Sequence, residues 1–260
     1  MSVEILIFIG MKRLVLLFLL CLIGFSSFAQ DDGKTSEDIL VNYYNNGFEP
    51  YRNGVWYLAM TMSLRDQDIE NTRLGLFDDV VIGNNSSWNL DLTTGRYISD
   101  YFLVGMTIGY EQSKFDGTLV GNFGTTFERV SDSELFTIGT FIRTSIPLTA
   151  NNRLSFYNDL GFGFSFGNSQ IDEIRNNNTE TSTADIYRLG VGINPGITYF
   201  AVNNFAFEAG VNLIGYSYSR EEGEDHNGVR SLKESHDVSF SVNLLTINLG
   251  VSYFFKTKTN

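Results

Sequence analysis

The sequence predicts an all-β fold: a closed, eight-stranded antiparallel up-and-down transmembrane β-barrel with short periplasmic turns and long extracellular loops. Three observations predict it. Apolar residues recur with a period of two over unusually long segments, the opposite face of those segments is small and polar, and the connections alternate between long and short. Glycine occurs 25 times and proline only 3 times, which suits long strands better than helices.

The last segment shows the pattern best. Leu245, Ile247, Leu249, Val251, Tyr253 and Phe255 share one face, Thr246, Asn248, Gly250 and Ser252 the other, and Phe254 is the exception. The sixth segment sets Tyr187, Leu189, Val191, Ile193, Ile197 and Tyr199 against Arg188, Gly190, Gly192, Asn194, Gly196 and Thr198. The third runs from Phe102 to Glu111 and the fifth from Ser155 to Phe166 in the same way. Weaker alternation marks 54–64, 86–98, 133–147 and 204–218, which brings the number of segments to eight.

Such alternation fits either a soluble barrel with an apolar interior or a membrane barrel with an apolar exterior. The polar face decides between them. It carries Gly, Ser, Thr and Asn where a water-facing sheet would carry Lys and Glu, and small residues fit a narrow lumen. The apolar face is as long as a bilayer crossing requires, with aromatic residues near several ends. Ser99-Asp100, 148–152 and 201–204 are short connections; 65–85, 112–132, 168–182 and 219–237 are long and rich in Asp, Glu, Asn, Gly and Ser. Both chain ends then fall on the periplasmic side, and Pro195, which cannot donate to a ladder, is expected at a bulge or near its strand's periplasmic end.

The N-terminus reads as a targeting device. Lys12 and Arg13 precede an apolar run from Leu14 to Phe25, and Ser27-Phe28-Ala29 offers a cleavage site before Gln30. Residues 1–29 are therefore expected to be a signal peptide with its true start at Met11, 30–51 a periplasmic segment, and 52–256 the barrel of a cell outer membrane. The single cysteine, Cys21, lies inside the apolar run, so no disulfide forms within the chain. A net charge of −12 argues against a nucleic-acid partner, because phosphate neutralisation needs clustered Lys and Arg.

The segment from about 50 to 255 resembles the outer-membrane β-barrel domain family of Bacteroidota, related to the small OmpA/OmpX-like barrels. The motifs that carry the resemblance are Asn194-Pro195-Gly196-Ile197-Thr198-Tyr199-Phe200, Phe141-Ile142-Arg143, Gly95-Arg96-Tyr97-Ile98-Ser99-Asp100 and the aromatic-ended final strand. The resemblance implies a location, not an activity, and that the final strand is read by the barrel-assembly machinery. Expected partners are thus outer-membrane lipid, that machinery, and an extracellular ligand held by the loops.

No catalytic, metal or cofactor site is expected. His226 and His236 lie beside Asp225 and Asp237, and Ser235 adjoins His236, but the charged stretch from Arg220 to His226 reads as a solvated loop tip. Gly161-Phe162-Gly163 and Gly190-Val191-Gly192 lie inside strands and face the lumen, so they are not phosphate loops. Asn84, Asn85 and Asn177 match N-x-Ser/Thr and receive no role. The leading functional reading is an envelope-structural or surface-recognition and adhesion protein acting through its outer loops. A narrow pore or conduit for small solutes or hydrophobic molecules is the alternative, and a lipid-modifying enzyme a remote one.

The lumen provides the sharpest expectation. By alternation Asp91, Arg143, Asp159, Arg188 and Glu208 point inward, where a charge persists only if paired or solvated. Arg143, Asp159 and Glu208 stand at one level, about four to six residues above their turns. Arg143 is expected to bridge the two acids, with Tyr157 and Phe141 packed around them, closing the periplasmic half of the lumen; the alternative is that each charge contacts trapped water.

Overall fold

A computed structural model describes residues 48–73, 79–121, 125–175, 178–224, 228–240 and 247–256. The expected signal peptide with Met11 and Cys21, residues 30–47 of the periplasmic segment, Asn177, Asp225, His226, Leu245 and Thr246 lie outside the described residues. The rest forms ten antiparallel strands: β1 (Val55–Arg73), β2 (Asp79–Ser99), β3 (Phe102–Val120), β4 (Thr126–Pro147), β5 (Leu154–Arg175), β6 (Asn178–Val202), β7 (Phe205–Gly210), β8 (Ile214–Glu224), β9 (Arg230–Phe240) and β10 (Asn248–Lys256).

Each strand from β1 to β6 pairs with its successor, β6 pairs with β7, β7 with β10, and β10 with β1. The pairing therefore runs as a ring through eight strands. Above it, β8 continues the line of β7 and β9 that of β10, with β8 pairing to both β6 and β9.

Ten segments are described where eight were expected because the seventh strand is interrupted at Val211–Leu213, dividing it into β7 and β8, and the last ring strand β10 is preceded by the separate β9. The interruption faces Pro195, whose missing N–H denies the ladder a donor. There the Val211 and Leu213 amides donate to the Pro195 and Ile193 carbonyls at 3.0 and 3.1 Å. Between β6 and the seventh strand, Gly196 pairs with Gly210 and Ile193 with Ile214, so three steps on one side oppose four on the other, as in a bulge.

Side-chain placement is inverted relative to a water-soluble barrel. Met106, Ile108, Phe136, Ile138, Phe162, Leu189 and Leu249 are exposed on the outer surface, while Ser155, Thr198, Ser252, Arg143 and Glu208 are buried. An apolar belt of this extent is unstable in water and stable in hydrocarbon, so the ring spans a membrane. On β4 the belt runs from Phe136 to Ile146. Ten steps of about 3.3 Å, tilted by about 40°, span about 25 Å, the height of a bilayer core.

An aromatic row caps the belt. Tyr110, Phe136, Phe166 and Tyr187 occupy successive cross-strand positions on β3 to β6, with ring centroids 4.9 Å apart at Tyr110–Phe136 and 6.2 Å at Phe136–Phe166. Such rings favour the boundary between lipid tails and water. Replacing Ile142, at mid-belt, by Arg should destabilise the barrel by about 2–4 kcal/mol in denaturant titrations from lipid vesicles, whereas Leu148→Lys, beyond the belt, should be within about 1 kcal/mol of the parent.

The four long connections are not loops over most of their length. β1 to β6 extend the ladder well past the aromatic row, and β8 with β9 forms a further hairpin. The expectation of loops failed because strands beyond the membrane have water on their outer face, so the period-two apolar signal disappears while the hydrogen bonds continue. Val80, Leu119 and Phe127 form a small buried core among these extensions, with Ile69 and Phe115 against it. The Arg175 guanidinium lies 4.4 Å from the Phe127 ring centre, and Arg129 pairs with Glu173 at 2.6 Å.

Candidate functional site

The candidate site is the interior of the ring. Arg143 enters from β4 directly opposite its cross-strand partner Asp159 on β5, and Glu208 enters from β7. Four residues separate Arg143 from the β4 end at Pro147, five separate Asp159 from Leu154 and three separate Glu208 from Phe205, so the three share a level.

The geometry is a forked ion triad. Arg143 Nε and Nη2 donate to the two Asp159 oxygens at 2.7 and 2.8 Å, and Nη1 donates to the two Glu208 oxygens at 2.9 and 3.1 Å. Fork-to-fork pairing of this kind is the strongest arrangement open to arginine. Glu208 also accepts from Tyr57 Oη at 2.8 Å, Ser252 Oγ at 3.0 Å and Thr198 Oγ1 at 3.4 Å. The guanidinium lies 3.9 Å from the Tyr157 ring centre and 4.6 Å from that of Tyr57, with Phe141 farther out at 5.9 Å. Three neutral donors on Glu208 spread the second negative charge, which Arg143 alone cannot balance.

Asp91 and Arg188 do not join the triad. Asp91 is eight residues from the β2 end at Ser99, and Arg188 fourteen from the β6 end at Val202, so both stand higher in the lumen. A cross-strand row links them through Gly109, Thr137 and Ser165, which sets them four strands apart around the ring. Asp91 accepts from Asn89 Nδ2 at 3.2 Å, and Arg188 forms no ion pair among the described residues. The inward direction of all five charges was legible, and so was the common level of Arg143, Asp159 and Glu208.

Below the triad lies an aromatic floor that the sequence reading missed. Tyr57, Tyr97, Phe200 and Phe254 are all no more than 1% exposed, and Tyr51 is 3% exposed. Their rings interlock, with centroids 4.8 Å apart for Phe200–Phe254, 5.2 Å for Tyr57–Phe254 and 5.6 Å for Tyr51–Tyr97. The signal was Phe254, the residue that breaks the alternation of the last segment: it turns inward to fill the end of the lumen. Burial lifts the Tyr51 phenol far above its ordinary value, so the floor carries no ionised phenol there.

The chain before β1 completes this floor. The Tyr101 amide donates to the Tyr51 carbonyl at 2.8 Å, the Gly54 amide to that of Tyr97 at 2.8 Å, and Asn152 Nδ2 to that of Phe48 at 2.7 Å. Gly54 takes φ 87°, a value open to glycine, where the chain turns up into β1. Phe48 packs edge-on to Phe200 at 4.9 Å. Residues 48–54 thereby lace the turns at the short-turn end together. Above the triad the lumen widens into a chamber of about 470 Å³ lined by Thr61, Asp91, Thr93, Thr107 and several glycines.

His236 is on β9 rather than in a loop, facing outward, with Tyr216 Oη 2.9 Å from Nδ1 and the Tyr218 ring centre 5.0 Å away. Ser235 points the other way and meets Ser219 Oγ at 2.7 Å. Neighbours in a strand face opposite sides, so Ser235 and His236 form no nucleophile–base pair. Among the described residues no group of His, Cys, Asp and Glu is arranged to hold a metal ion.

Residues 146–253, less than half of the chain, match the model of the "Putative OmpA-OmpF-like porin family". No curated protein matches the sequence. Among solved structures, the outer membrane protein OprG from Pseudomonas aeruginosa is 13% identical, with TM-score 0.44, over 81% of this chain and 100% of its own. A major outer membrane protein from Thermus thermophilus is 14% identical, with TM-score 0.43, over 77% and 99%. Ail, the attachment invasion locus protein of Yersinia pestis, is 16% identical, with TM-score 0.35, over 78% and 99%. The matched family segment runs from the end of β4 into β10 and so contains Asp159 and Glu208, both acids of the triad, together with Phe200 of the floor.

Proposed function

We propose that the chain is a non-enzymatic, exported outer-membrane barrel, cleaved before Gln30, that anchors a rigid surface platform used for recognition or adhesion. The observation that carries this reading is the division of the molecule: one end of the ring is filled by the Arg143 triad and the aromatic floor, while the other rises into paired hairpins with a core of their own. A filled floor disfavours conduction, and hairpins that stand above the lipid boundary are where a partner could be met. Their outer face holds a cleft of about 940 Å³ bordered by Glu134, Asp185, Arg220, Glu222 and Arg230, a polar surface suited to a polar partner. The partial match to a porin family motivates the outer-membrane placement.

The test is to trim the four hairpins back to the aromatic row, replace them with two-residue turns, and compare cells producing the trimmed and parent proteins. Surface attachment should be lost while the trimmed protein still migrates as a compact, heat-modifiable band. Attachment and envelope integrity both equal to the parent's would contradict the proposal.

A further inference from the structure

One wall of the chamber is bare backbone. Gly139, Gly163 and Gly190 are cross-strand neighbours on β4, β5 and β6; Gly161, Gly192 and Gly215 occupy β5, β6 and β8 one inward step nearer the floor. All six line the chamber. Two rows of three, offset from each other by one strand, make a patch about 7 Å tall and about 10 Å wide in each row.

Neither conformation nor packing requires glycine at three of these positions. Among the described glycines only Gly54 and Gly228 have positive φ. A Cβ would meet no atom nearer than 4.0 Å at Gly161, 3.5 Å at Gly163 and 3.9 Å at Gly190. Glycine weakens a strand, and where it persists it marks close approach of another group. At those three positions no protein atom makes that approach, whereas at Gly139 and Gly192 a Cβ would meet the Phe162 and Ile214 carbonyl oxygens at 2.9 and 3.2 Å, so what Gly161, Gly163 and Gly190 preserve is the space in front of them.

Across the ring the chamber is hydroxylated. Thr61 on β1, Thr93 on β2 and Thr107 on β3 line it, with Thr93 and Thr107 hydroxyls 3.2 Å apart, and Asp91 stands beside them. The Arg143 triad forms the bottom, and the volume lies within the range of small-molecule pockets.

We propose that this chamber binds a sugar of one or two rings, entering from the hairpin end, with its C–H face on the glycine patch and its hydroxyls on Asp91, Thr93 and Thr107. The patch matches one ring in size and offers the flat apolar contact that the C–H face of a sugar needs. A carboxylate and a row of hydroxyls accept and donate to the ring edge. Three acids, Asp91, Asp159 and Glu208, against two bases, Arg143 and Arg188, make the chamber unfavourable for an anion. This goes beyond recognition by the hairpins and does not depend on it.

The experiment titrates glucose and maltose, with ethanolamine and acetate as controls, into the mature protein in detergent micelles while following glycine amide resonances. Saturable shifts at the six patch glycines with a sugar are expected, and Gly163→Val with Gly190→Val should weaken them about tenfold while leaving the heat-modifiable migration unchanged. Thr93→Ala with Asp91→Ala is the second variant, serving if the valines prevent folding, with the same expected loss. No saturable shift with either sugar, shifts undiminished in the variants, or saturation by ethanolamine alone would overturn the proposal.

Discussion

Replacing Arg143 by alanine should lower the unfolding free energy of the barrel by about 3–5 kcal/mol, because it strands two carboxylates at a buried level. Glu208 is 3% exposed and keeps its three neutral donors, but Asp159 loses the one cation whose fork reaches it among the described residues. The sign of a second variant separates charge from packing. Arg143→Leu combined with Asp159→Asn and Glu208→Gln removes all three charges, and should be more stable than Arg143→Ala despite carrying more substitutions. Urea titration from lipid vesicles, followed by tyrosine and tryptophan fluorescence, reads both. Equal midpoints for Arg143→Ala and the parent would show that the triad contributes nothing.

The second large effect is expected at the floor. Phe200→Ala and Phe254→Ala should each cost about 3–5 kcal/mol, the usual loss when a fully enclosed phenylalanine is truncated and its cavity cannot collapse. The two rings touch at 4.8 Å and share Tyr51 as a neighbour, so the double variant should lose less than the sum of the single ones. The same variants should leave the lipid-facing belt intact, so the barrel should still insert. Loss of stability without loss of insertion is the expected signature; unchanged stability would mean that the rings are not packed as the structure has them.

Most of the fold was legible because a membrane simplifies the code. Each strand that crosses lipid must alternate strictly, as Leu249, Val251 and Tyr253 do, and closure leaves no edge. Past the aromatic row the constraint lapses: Asp132, Glu134, Glu222 and Glu224 face water from a strand as readily as from a loop, so the hairpin extensions were read as loops. In the lumen, parity gave direction for all five charges, and counting from the turns gave the common level of Arg143, Asp159 and Glu208. The same count, carried up to Asp91 and Arg188, separates them from that level. The floor escaped because Tyr57, Tyr97 and Phe200 occupy inward parity with aromatic side chains, which a pattern of apolar-out and small-in does not anticipate. Only Phe254 announced it, as the misfit in a regular strand.

The lumen is filled at one end by the Arg143 triad and the aromatic floor, so the intact barrel should not conduct. The mature protein reconstituted in planar bilayers should be electrically silent, while Arg143→Ala combined with Phe200→Ala and Phe254→Ala should show ion-conducting steps, which also demonstrates that the assay can detect an opened barrel. Steady unitary conductance from the parent protein would contradict the account.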